Sequence, residues 1–185
     1  MKNIYLLLVF LSFFATQQAM IQLPSPQDTI PQEINMVDHL NSSPLYYAAK
    51  KGKEDIARCL LENKANPNLP TDSISPLCAA IQGYHVNIVR LLLDFKADPN
   101  STKNERREAP LLLAIKKYED AYYPEKKLNA KENIQSLLFC PNINKKIVNL
   151  RGQTPLHYAV ENSDVEIVRL LLADDNTLKK SENNN

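Results

Sequence analysis

One phrase occurs four times in this 185-residue chain: SPLYYAA at 43–49, SPLCAAI at 75–81, APLLLAI at 109–115 and TPLHYAV at 154–160. Its prolines, Pro44, Pro76, Pro110 and Pro155, follow one another at 32, 34 and 45 residues. A recurrence of this length describes an array of similar small units, each hiding its apolar face against the next, rather than one globular core. Such arrays act through a surface shared by neighbouring units, so the sequence says more about how the chain binds than about what it binds.

Each phrase reads as the opening of a short helix. Ser43, Ser75 and Thr154 can turn a side-chain oxygen onto free N–H groups, and proline follows at the first helical position, where its missing donor costs nothing. Ala109 replaces the capping residue in the third unit, which predicts a helix start weaker by about 1 kcal/mol. A second apolar block comes next, DIARCLL at 55–61, NIVRLLL at 87–93 and EIVRLLL at 166–172, with the spacing of one broad helical stripe. KANPN at 64–68 and KADPN at 96–100 then close the first two units with turn chemistry. One unit is helix, helix, extended turn.

These residues resemble the ankyrin repeat, whose signature is T-P-L-H-x-A on a 33-residue period. The likeness covers about 43–178 in four units, about 43–74, 75–108, 109–153 with an insertion, and 154–178; TPLHYAVENSDVEIVRLLL at 154–172 follows the pattern throughout. The resemblance implies an all-α solenoid of stacked helix-turn-helix units joined by β-turn or hairpin connections. It implies no cofactor, and a protein partner held by the inter-repeat turns and the concave face of the first helices. It gives His157 a structural role, joining adjacent turns through backbone hydrogen bonds, and His85 a structural place before the second helix. The chain departs from the family in having three glycines. Lys64 and Lys96 stand where the family prefers glycine in a left-handed conformation, and Cys140 falls near that place in the third unit. A side chain forced to positive φ costs about 1 kcal/mol, so either those turns differ or the array is less stable than an ideal one. ADDNTLKK, at the end of the fourth unit, has lost the pattern, as a terminal cap should.

A formal charge of +1 gives no whole-protein pull toward nucleic acid. The first 19 residues have Lys2, an apolar run at 4–15 and small or polar residues after it, the layout of a signal peptide cleaved near Ala19. The expectation is export, to periplasm or medium, with no stable membrane span after cleavage; the alternative is an uncleaved anchor. Residues 20–42, with Pro24, Pro26 and Pro31, read as a linker with one helical turn around 33–40, and 179–185 as a disordered tail. Three cysteines make no disulfide framework and no zinc pair. Cys59 and Cys78 take apolar helix positions and are expected to be buried; Cys140 is the candidate for exposure.

No catalytic motif is present. An enzyme would need His39, His85 or Cys140 to converge in a cleft. The preferred reading is a non-enzymatic, monomeric interaction module; the alternative is a self-associating scaffold. Two surfaces are candidates for the partner. The first is the turns, where Lys103, Arg106, Arg107, Lys145, Lys146 and Arg151 face only Glu105 and Glu108, together with Tyr47, Lys50, Lys51, Lys116, Lys117 and Tyr158 on the first helices. An acidic partner surface would complement them. The second is the insertion at 118–133, expected to project from the bend between two helices, with Tyr118, Tyr122 and Tyr123 beside Lys126, Lys127 and Lys131. The plainer reading of it is a surface loop whose tyrosines fold back onto the helices.

Overall fold

The computed structural model describes residues 33–69, 74–102 and 108–173. The chain divides into two units, Met1–Glu33 and Ile34–Asn185. The stretch 1–19 read as a signal peptide, the linker prolines and the tail at 179–185 lie outside the described residues, as do Lys103, Arg106 and Arg107 of the second turn. The second unit carries the array.

Eight helices follow among the described residues: α1 Pro44–Lys50, α2 Glu54–Glu62, α3 Pro76–Gln82, α4 Val86–Asp94, α5 Pro110–Glu119, α6 Pro124–Leu138, α7 Pro155–Glu161 and α8 Val165–Leu172. They pair in order into four tiers. First helices pack in sequence, α1 on α3, α3 on α5 and α5 on α7, and second helices likewise, α2 on α4 and α4 on α6. Pro44, Pro76, Pro110 and Pro155 open the four first helices on equivalent rungs. Among the described residues there is no strand, and the all-α expectation is met.

The caps explain where these helices start. Ser43, Ser75 and Thr154 accept from the N–H groups of Tyr46, Cys78 and His157 at 3.1, 3.2 and 3.3 Å. Ala109 offers no such bond. Leucines and small residues then fill the joints: Leu45, Leu77 and Leu111 with Ala49, Ala80 and Ala114 are at most 1% exposed. Close-packed stacking of this sort, not helix propensity, holds helices of seven residues.

Two turns realise the strained branch of the expectation. Lys64 and Lys96 adopt φ 69° and 66°, and the next residue closes each helix, Ala65 N to Leu60 O and Ala97 N to Leu92 O, both 2.9 Å. That bond is the reason the left-handed residue is needed, glycine or not. The third tier does otherwise: Cys140 has no positive φ, and its N–H bonds to Leu137 O at 3.1 Å. Two of the three glycines serve His85. A Cβ on Gly52, itself at φ 69°, would lie 2.5 Å from the His85 ring, and one on Gly83 2.4 Å from it.

The insertion is not a projecting loop. It lengthens α5 to 10 residues and α6 to 15, against 7 and 9 in the first two tiers. Continuing both helices lets the added residues form backbone hydrogen bonds that a loop would leave to water. The sequence also hid a ladder of asparagines that ties tier to tier. Asn35 Oδ1 accepts from Asn66 N, Asn68 Oδ1 from Asp98 N and Asn100 Oδ1 from Asn144 N, at 2.7, 2.7 and 2.8 Å. Asn68 and Asn100 also donate, to Lys96 O and Asn142 O, at 2.7 and 2.8 Å. The ladder starts inside the stretch read as linker. There, Asp38 Oδ1 accepts from Leu40 N and Ser42 N, the pattern that Asn149 repeats with Arg151 N and Gln153 N. Ile34 and the turn at 38–42 therefore belong to the array.

Candidate interaction surface

The residues expected to bind divide into three groups. On α1, Tyr47 is exposed, but its hydroxyl donates to Asp38 Oδ2 at 2.7 Å, which holds that carboxyl below its usual range and raises the tyrosine. Lys50 donates to Tyr46 Oη at 3.2 Å and lies 5.4 Å from that ring's centre. These side chains are fixed to their own tier.

The basic turns are less free than their sequence implies. Lys145 Nζ donates to Ala173 O at 3.3 Å, closing the fourth tier, and Lys116 pairs with Glu108 at 3.5 Å. Arg151 is exposed at the tip of its turn. Half-buried Tyr158 is raised by burial first, then by the charges of Asp120, Glu108, Glu119 and Glu161. Carboxylates thus gather at this end of the first-helix face, beside the lysines.

The third group is the bend edge built by the insertion. Tyr118 is buried, 5% exposed, so one tyrosine of three folds back as the plainer reading held; Tyr122 and Tyr123 stand 89% and 60% exposed. These last two rings meet edge to face at 5.3 Å. Lys126 lies over both Tyr84 and Tyr123, 5.6 and 5.5 Å from their centres, and Lys117 over Tyr84 at 4.9 Å. Lys127 covers Tyr118 at 4.5 Å. Lys117 has therefore left the first-helix face for this edge, drawn by Tyr84, whose hydroxyl donates to Lys117 O at 3.2 Å. Tyr84 belongs to the α3–α4 bend, and sequence reasoning missed it. The signal was available, since Tyr84 is the residue just before His85 in a bend that the insertion overhangs.

On the far side of the same tier Glu166 gathers two partners. Lys131 donates to Glu166 Oε1 at 2.6 Å and Tyr118 to Glu166 Oε2 at 3.2 Å. The lysine bond lowers Glu166, whereas burial, then Asp164 and Glu166, pushes Tyr118 up to about 12. Burial also raises Glu119, aided by Asp164.

The residues an enzyme would need do not meet. His39 is exposed on the first turn, His85 sits in the α3–α4 bend, and Cys140 follows α6 with its thiol on Ser136 O at 3.6 Å. A groove of about 320 Å³ beside His85 is lined by Glu54, Asn87, Asn129 and Glu132, without His39 or Cys140. Its carboxylates are occupied: Glu54 by Asn87 and Arg58 at 2.9 and 3.0 Å, Glu132 by Arg90 at 3.1 Å. No cluster able to hold a metal occurs among the described residues. Burial raises the half-buried Cys140 thiol, with Asp94 adding to it, and Cys78 is buried as expected. Cys59 is exposed instead, in the first of the described tiers. His157 also differs from expectation. Its Nδ1 contacts Thr154 Oγ1 at 2.7 Å and accepts from Thr154 N at 3.3 Å, so it caps its own helix rather than bridging turns.

Among the described residues no helix is long and apolar enough to cross a membrane. The family model for ankyrin repeats matches in three copies, at residues 15–103, 45–123 and 126–185. Fowlpox virus (strain NVSL) has two similar proteins named as ankyrin repeat proteins. FPV014 is 33% identical over 75% of this chain and 29% of its own length, and FPV240 27% identical over 66% and 27%. The chain thus spans less than a third of the length of these relatives. Four stacked helix pairs opened by the same proline phrase, and a family model matching most of the sequence, place this chain in the ankyrin repeat family.

Proposed function

We propose that this chain is an exported interaction module that holds a carboxylate-rich protein segment against the bend edge of its second and third tiers. Ankyrin repeats are in general protein–protein interaction modules and typically not enzymes. The observation that carries the reading is the edge cluster, where Lys117, Lys126 and Lys127 rest on tyrosine faces while Tyr122 and Tyr123 reach into solvent. A cation parked on an aromatic ring keeps most of its charge available, and exposed tyrosines add contact area at small entropic cost.

Titrating the isotopically labelled protein with a glutamate-rich peptide is expected to shift the amide resonances of 117–128 first, with an affinity that falls as salt rises. Reversing Lys117 and Lys126 to glutamate should abolish those shifts. Shifts confined to other tiers, or none, would refute the edge as the contact. Export rests on the leader layout, and its check is separate: protein recovered outside the cytoplasm should begin near residue 20 by mass spectrometry. An intact N-terminus would remove that half of the reading.

A further inference from the structure

We infer that copies of this chain stack end to end, the first tier of one copy closing the fourth tier of another. This goes beyond partner capture and uses different residues. Inside the array, each joint has two halves. The leading tier offers the last apolar residue of its proline phrase, Ala49, Ile81 or Ile115, each 0% exposed. The following tier offers the isoleucine of its second helix, Ile88, Ile134 or Ile167, exposed 1%, 0% and 0%. At the two ends the same positions lie open: Val160 is 60% exposed and Ile56 53%. Leu172 is 63% exposed where its counterparts Leu61, Leu93 and Phe139 are 3% exposed, half-buried and 36% exposed, and Cys59 is exposed where Leu91 and Leu137 are 5% and 0%.

The open faces are therefore the two halves of a joint the chain already makes three times. The face that fits Val160 and Leu172 is the one carrying Ile56, and every molecule has it. The first tier also brings its incoming turn ready formed. Ile34 packs on the core and Asn35 accepts from Asn66 N, as Asn68 does from Asp98 N between tiers one and two. A joining copy thus supplies the helix face that an internal tier receives from its neighbour, while Asn35 stays bonded to its own first tier. Such a contact is head to tail and does not close on itself, so it propagates. Sequence reasoning preferred a monomer and kept a self-associating scaffold as the alternative; the end faces supply a reason for the alternative.

The test is sedimentation velocity of the full chain over a range of concentrations. Mass should grow past that of a dimer as concentration rises. Val160→Glu alone and Ile56→Glu alone should each be monomeric, since each leaves one end usable with no complementary end to meet. Mixing those two variants should restore dimers and nothing larger, because each then supplies the half the other lacks. Both positions are on the surface, and circular dichroism confirms folding; Leu172→Glu serves the same face if Val160→Glu does not fold. A wild-type protein that stays monomeric overturns the proposal, as does association that survives Val160→Glu. Dimers formed by either variant alone overturn it too, since they would show a symmetric contact or cover by another segment.

Discussion

Ile115→Ala is expected to destabilise the protein by about 2–5 kcal/mol, and Val160→Ala, at the same place in the next tier's phrase, by less than about 0.5 kcal/mol. The two side chains are nearly alike and occupy one sequence position. What separates them is the neighbour: Ile115 is wholly enclosed between α5 and α7, while Val160 is 60% exposed with no described tier beyond it. Removing Ile115 leaves a void in the joint that carries the fourth tier. In a solenoid the loss is felt by the adjoining units before the distant ones. Amide exchange in α7 and α8 should therefore quicken most, while α1 and α2 change least. Urea melts of the two variants measure the free energies at protein concentrations low enough to exclude association. Equal costs would mean that burial does not set these positions' worth, and the tier-by-tier account of stability would fall.

Much of this fold was legible because the repeat repeats its chemistry. A proline with a hydroxyl before it and leucine after it starts a helix for local reasons, and four copies in register leave stacking as the way to bury four apolar stripes. The insertion was harder. Counting residues between Pro110 and Ile134 reveals twelve more than in earlier units, but a count cannot tell a loop from two longer helices. Pro124 held the answer, since it opens α6 at its first position. The asparagine ladder was hidden because N-P-N reads equally well as a turn that bonds only to itself. Asn68 does receive such a bond pattern, its own N–H donating to Asn66 Oδ1 at 2.9 Å, and makes the inter-tier bond besides. The basic turns were legible as charge but not as free charge: Lys116 and Lys145 meet Glu108 and Ala173 across distances in sequence that no local pattern reports. The edge cluster was half visible, in the tyrosines and lysines of the insertion. Its other half, Tyr84, comes from the tier before, and only stacking brings it there.

Replacing Asn133 by leucine is expected to stabilise the protein by about 1–3 kcal/mol. Asn133 is 0% exposed, and neither its Nδ2 nor its Oδ1 meets a hydrogen-bond partner. Its counterparts in the other tiers, Asp55, Asn87 and Glu166, are exposed in the first turn of their second helices, where a polar side chain keeps its water. The insertion changed the surroundings without changing the residue type. With α6 begun at Pro124, the same position falls in mid-helix on the stripe of Ala130, Ile134 and Leu137, facing the protein. Leucine shares the branched shape of asparagine though it is bulkier, is the better helix former, and leaves no polar atom to desolvate. Asn133→Ala separates the two contributions: it removes the same polar atoms but opens a void, so its gain should be smaller or absent. The midpoint of urea unfolding reads both variants against the parent. A leucine variant less stable than the parent would mean that the amide is bonded in solution, as by a trapped water, and that the lengthened third tier keeps Asn133 for that bond rather than in spite of its burial.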